Sequence, residues 1–267
     1  MSEQRRPHGL LGPQDPAPVG ELEGSRESPF FLICDHAGNA VPAALDGLGV
    51  RAEELERHIA IDRGALAVAR LLAGRLAAPL IFQRYSRLVI DCNRRPEASD
   101  SISALADGTE VPGNRDLGEA ERQARRIEIL LPYHERIEKA LDARSAAGLP
   151  TLFVSVHSFT PSLRSRPARR PWDLGLCWGR DRRFNDAVLA ALEEQERALC
   201  LGRNEPYAVD MDNDYSIPLH AEARKLPYVE FEMRQDLLEA PDALEVWAAR
   251  LERALRRAAH DFLLGES

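Results

Sequence analysis

The chain has little that would point to a membrane, an oxidising compartment or a nucleic acid. No stretch approaches the roughly 20 consecutive apolar residues that a membrane span needs. The N-terminal MSEQRRPHGLLGPQDPAPVG lacks the apolar core of a signal peptide. The four cysteines (Cys34, Cys92, Cys177, Cys200) are scattered and form no CxxC pair. Three of them sit in apolar runs, as reduced core residues do, which suits a reducing compartment and a cytoplasmic protein. Basic residues number 35 against 43 acidic ones, and the net charge of −8 argues against a nucleic-acid partner. Internal repeats and domain linkers are also missing.

What is present is enough for one large domain. The 267 residues are 29% charged and 44% hydrophobic, the balance of a soluble globular protein with a sizeable core. Residues 1–28, rich in Pro, Gly and charge, are expected as an extended arm. One catalytic domain is expected over 29–267.

Apolar, β-branched runs predict strands at Phe30–Cys34, 79–83, 87–92, 151–157, 173–178 and 228–233. Helical spacing predicts helices over 51–58, 64–76, 117–144, 184–199 and 241–264, with a bend at Pro132 and a stop at Gly265. Residues 99–114 and 160–172 read as loops, the second holding four arginines. Strands alternating with helices imply a three-layer α/β/α fold around a mostly parallel, mixed sheet.

Three strand ends concentrate the chemistry. FFLIC runs into Asp35 and His36, TLFVSV runs into His157, and YVEFEMR carries Glu230 and Glu232 on one strand face. In open α/β sheets ligands bind at the carboxyl ends of strands. Two strand-end histidines and a carboxylate are the parts of a mononuclear zinc hydrolase site. Asp62, in HIAIDRGA, is the favoured third ligand, although it could instead cap the following helix. Asn39 is placed for ligation but its neutral amide oxygen is a poor zinc donor. Asp35 could support the ligands from behind. Glu230 or Glu232 would take the proton of the attacking water and pass it to the leaving amine. Asn93 and Arg94 would clamp a substrate carboxylate, and Arg87 could stabilise an oxyanion. His58, His134 and His260, on helices among charges, are expected to be exposed.

These stretches together resemble the N-formylglutamate amidohydrolase family. The resemblance runs from about residue 28 to 251, through SPFFLICDHAGNAVP, HIAIDRGA, YSRLVIDCNRRP, ADGTEVPGN, SVHSFTP, RPWDLGLCW, NEPY and VEFEMRQDL. That family is similar to the zinc carboxypeptidases, which implies a carboxypeptidase-like fold and a Zn²⁺ cofactor. The resemblance implies His36, Asp62 and His157 as ligands and Glu232, rather than Glu230, as the base. It also implies that Asn93-Arg94 is the carboxylate clamp and that His220 binds substrate. Where carboxypeptidases carry a glutamate three residues after the first histidine, this chain has Asn39. The implied reaction is hydrolysis of a small anionic N-acyl amino acid such as N-formyl-L-glutamate. A carboxypeptidase-like peptidase, or a metal-free anion-binding relative, are the alternatives.

Overall fold

A computed structural model describes residues 9–265 of the chain. The first eight residues of the expected arm therefore lie outside the described residues. A seven-stranded sheet in the order β1-β3-β2-β6-β9-β7-β8 forms the middle layer. Its strands are β1 (Val19–Leu22), β2 (Phe30–Cys34), β3 (Leu80–Gln83), β6 (Leu152–Phe159), β7 (Leu174–Cys177), β8 (Leu201–Arg203) and β9 (Tyr228–Arg234). Strands β3, β2, β6 and β9 run parallel; β1 and β7 are antiparallel to their neighbours β3 and β9. The sheet is thus mixed and mostly parallel.

Among the described residues six α-helices accompany it: α1 (Ala52–Leu55), α2 (Ala65–Leu76), α3 (Glu119–Arg125), α4 (Leu131–Ala146), α5 (Arg183–Gln195) and α6 (Pro241–Gly265). One sheet face presents Leu32, Val154, Val156, Val229, Phe231 and Met233 to α2, α5 and α6. Each such side chain, fully buried, contributes about 1.5–3 kcal/mol. The other face presents Phe31, Ile33, Phe153 and Tyr228 to Ile129, Leu130, Tyr133, Ile137 and Leu141, on and just before α4. Along this second face the pattern changes toward the strand ends. Ser155 and His157 on β6 pair in register with Glu230 and Glu232 on β9, so the apolar floor gives way to polar side chains at the carboxyl ends.

Several segments differ from the sequence expectation, among them β8, which lies where no strand is expected. Residues 19–22 of the arm add an antiparallel edge strand to β3. Within 99–114, Leu105–Ala106 (β4) and Thr109–Glu110 (β5) form a short hairpin around Asp107-Gly108. The expected strand at 87–92 is a series of turns instead. Its Leu88, Val89 and Ile90 bury into the second core, and an apolar run alone does not distinguish a buried turn from a strand. The long helix is interrupted by a π-helical turn, Arg126–Leu130, just ahead of Pro132. The wider turn accommodates a ring that would clash with the preceding turn of a regular α-helix.

Candidate active site

The strand-end residues converge on the second face. Asp62 Oδ2 stands 2.8 Å from His157 Nδ1 and 3.4 Å from His36 Nδ1. The far ring nitrogens are held by two other carboxylates: His36 Nε2 meets Asp91 Oδ1 at 2.7 Å, and His157 Nε2 meets Asp35 Oδ2 at 3.1 Å. A neutral imidazole that donates its Nε2–H to a carboxylate leaves the Nδ1 lone pair free for a cation. One ligand atom from each of His36, Asp62 and His157 lies within 4.8 Å of the others, so a single ion fits among them.

The groups behind the histidines are themselves fixed. Asp35 accepts hydrogen bonds from Tyr133 Oη at 2.9 Å and Ser216 Oγ at 2.6 Å. Asp91 accepts from Arg87 Nε and Nη2 and from the Asn93 backbone N–H. Burial and the Arg87 charge disfavour a protonated His36, but Asp91 and Asp62 outweigh them and raise its pKa. Burial likewise opposes protonation of His157, and its hydrogen bonds to the Asp35 and Asp62 carboxylates reverse it. Burial would raise Asp62, yet the two histidines hold its carboxyl well below the usual range. The two histidines and their carboxylates are thus electrostatically tied to one another.

Glu232 lies beside His157 in the β6–β9 register, and its Oε2 is buried without a hydrogen-bond partner. Glu230, one pleat further from the strand end, pairs with Ser155. Burial raises both carboxyls, Glu230 to about 7. A cavity of about 210 Å³ opens over these groups, and its wall includes Arg87, Asn93, Arg94, Phe159, Tyr207 and Asp214. Tyr207 reaches this wall because the backbone of Glu205 crosses the sheet closely. A Cβ on Gly175 or Gly202 would come within 2.2 Å of the Glu205 carbonyl oxygen, so only glycine fits beneath the crossing.

His36, Asp62, His157, Arg87, Asn93, Arg94 and Glu232 therefore line one cavity. Asp62 does not cap α2; Gly64 occupies that position, and the Asp62 carboxylate is turned toward the histidines. Asn39 is turned away and donates to Leu55 O and Glu56 Oε1. His220, expected in the pocket, does not line the cavity. It is buried outside the cavity, on the π-helical turn Ile217–Glu222, where its Nε2 lies 2.9 Å from His134 Nδ1. His134, expected at the surface, is buried and also meets the Cys92 carbonyl. The helical face it occupies is the one that packs on the second core. His58 is not free at the surface either, since it forms part of the cavity wall.

Asn93 and Arg94 line the cavity, but much of their polarity is used internally. Asn93 Oδ1 accepts from the Tyr215 and Ser216 N–H groups. Arg94 Nε donates to Asp100 at 3.1 Å, and its Nη1 pairs with Asp214. Asp91, Tyr133, Ser216 and Tyr207 were not singled out in the sequence. Asp91, two residues before Asn93 in DCNR, and Tyr207, in NEPY, lie in stretches that carry the resemblance; Tyr133 and Ser216 had no signal there.

Fold and site together define an α/β protein with a buried His-Asp-His cluster at the ends of parallel strands. The family model for N-formylglutamate amidohydrolase matches residues 28–239, and the chain belongs to that family, whose members are hydrolases acting on amides. A crystal structure of a gene product from Agrobacterium tumefaciens is 35% identical, with a TM-score of 0.90, over 95% of this chain and 99% of that one. The N-formylglutamate amidohydrolase from Ralstonia eutropha JMP134 shares the fold at 21% identity and a TM-score of 0.62, over 91% of this chain and 98% of that one. No curated protein matches the chain significantly in sequence. Among the described residues no helix is long and apolar enough to cross a membrane.

Proposed function

We propose that the protein is a zinc-dependent amidohydrolase that removes the N-acyl group, such as formyl, from a small anionic amino acid of the N-formyl-L-glutamate kind. The observation that carries this reading is the convergence of His36, Asp62 and His157 beside the unpartnered Glu232 carboxylate. The donor set fits zinc: two imidazoles and one carboxylate leave a position open, as catalytic zinc sites require. The carboxylates behind each imidazole fix its tautomer. When bound there, zinc supplies Lewis acidity to the scissile carbonyl and to the attacking water.

The residues of the chain do the remaining work. Glu232 accepts the proton of the attacking water and returns it to the departing nitrogen, so that amide and water become carboxylic acid and amine. Its burial favours that role, because a carboxyl held above its ordinary pKa is a stronger base. Arg87 Nε and Nη2 are held by Asp91. Its Nη1, 3.6 Å from Asp62 Oδ1, is left as the donor for the developing oxyanion. A cavity of about 210 Å³ suits a small amino-acid derivative.

The direct test is metal content and turnover of one preparation. About one zinc per chain is expected, with release of formate from N-formyl-L-glutamate and little cleavage of C-terminal peptide substrates. Peptide cleavage without deformylation would favour the peptidase alternative instead.

Asp91→Asn offers a finer check. The amide cannot hold the His36 Nε2–H as a carboxylate does, so zinc affinity is expected to fall about 10–100-fold. Competition with a chromogenic chelator measures this. Unchanged affinity would show that His36 is oriented without Asp91.

A further inference from the structure

We propose that the substrate carboxylate is bound by Arg170 and Tyr207, across the cavity rim, rather than by the Asn93-Arg94 pair. The inference rests on the amidohydrolase reading only for the presence of a carboxylate on the substrate. Bidentate recognition needs two adjacent guanidinium nitrogens on one open edge. The two arginines that line the cavity do not offer one. Arg87 spends Nε and Nη2 on Asp91, and its Nη1 points to Asp62. Arg94 has Nε on Asp100 and Nη1 on both Asp214 and the Asn93 carbonyl, so each edge has one nitrogen occupied. Both guanidiniums are also neutralised by the carboxylates they hold.

Arg170 differs on each point. Among the described residues its side chain makes one hydrogen bond, from Nη1 to Tyr207 Oη at 2.7 Å, which leaves the Nε–Nη2 edge open. Its other neighbours are ring faces: Cζ lies 5.1 Å from the Tyr207 ring centre and 5.8 Å from that of Phe159. Tyr207 and Phe159 are both cavity wall. His58, on the same wall, is held down to about 4 mainly by burial; the Asp107 carboxylate opposes this, and the Arg57, Arg87 and Arg170 guanidiniums add to it. Because Tyr207 Oη accepts from Arg170, its own proton is free to be donated. One carboxylate can therefore take the Arg170 edge and the Tyr207 hydroxyl together.

The backbone under Arg170 is fixed rather than loose. Its N–H donates to the Pro161 carbonyl at 2.9 Å. On its other side, Arg234 Nη1 donates to the carbonyls of Pro171 at 3.2 Å and Trp172 at 3.1 Å and pairs with Asp173 at 3.0 Å. Arg234 belongs to β9, the strand that carries Glu232. The strand with the proposed base thus also anchors the loop with the proposed clamp, which fixes their separation. A hydrogen bond to a charged partner sets the scale of the effect.

The test is the binding and turnover of N-formyl-L-glutamate by zinc-loaded wild type, Arg170→Gln, Arg170→Lys and Tyr207→Phe. Arg170→Gln is expected to raise KM, and the Kd measured by calorimetry, about 10–100-fold with kcat little changed. Arg170→Lys, which keeps the charge without the fork, and Tyr207→Phe are expected to be intermediate. Substrates with the α- or the γ-carboxylate turned into an amide identify which group is held. With the correct one removed, wild type and Arg170→Gln bind alike. Unchanged KM and Kd in Arg170→Gln, or an equal penalty on all three substrates, overturns the proposal. Wild type that binds N-formyl-L-glutamate through Arg170 without hydrolysing it overturns the amidohydrolase reading and leaves this clamp standing.

Discussion

Glu232→Gln is expected to lower kcat by about 10²–10⁴-fold, the usual contribution of a positioned general base, with zinc content unchanged. The glutamine keeps the size of the side chain and its place in β9, but cannot accept the proton of water. The neighbouring Glu230→Gln is the internal control. Glu230 pairs with Ser155 one pleat away, whereas Glu232 pairs with His157, the proposed ligand, so the second substitution should be much milder. A dead Glu230→Gln beside an active Glu232→Gln would reverse the assignment, and two active variants would sink the mechanism. A stability readout follows from the same burial. The folded-state pKa of Glu232 lies above its ordinary 4.5, so its contribution to stability is fully present below that value. That contribution is lost as pH rises toward and through neutrality. In the metal-free state, Glu232→Gln should therefore lose less Tm than wild type between pH 5 and pH 8. Equal losses would mean that Glu232 titrates normally.

The parts of this site that were legible in the sequence are those that strand periodicity exposes. His157 and Glu232 follow from alternation along two apolar runs, and β6 and β9 put them in register. His36 follows from the end of β2 in the same way. What the sequence concealed depends on contacts between segments far apart in the chain. Asp91 sits on a turn 55 residues from His36, and no periodicity signals that pairing. The clamp assigned to Arg94 by resemblance is a matter of which acceptors reach its nitrogens, and Asp214 lies 120 residues away. His220 was placed in the pocket on local sequence alone, and the π-helical turn that carries it directs it against His134 instead. The apolar run at 88–90 has the composition of a strand, yet it packs as turns under the site and so brings Arg87, Asp91 and Asn93 over the strand ends.

His157→Ala is expected to abolish stable zinc binding, with loss of activity to background. Two donors would remain, His36 and Asp62, and a catalytic zinc site needs three from the protein. The penalty should exceed the about 10–100-fold that follows loss of a supporting group, because a ligand itself is gone. The substitution also strips Asp35 and Asp62 of a partner in a buried setting, which costs stability in its own right. His157→Gln, which retains a hydrogen-bond donor, keeps the test valid if the alanine variant unfolds. Zinc per chain after dialysis, alongside circular dichroism, separates loss of metal from loss of fold. Asp62→Ala should behave like His157→Ala, whereas Asn39→Ala should keep its zinc, since the Asn39 amide is bonded to Leu55 and Glu56 away from the cluster. A folded His157→Ala protein that still carries one zinc would put the metal elsewhere. Zinc lost from Asn39→Ala but kept by Asp62→Ala would mean that the amide, not the carboxylate, completes the site.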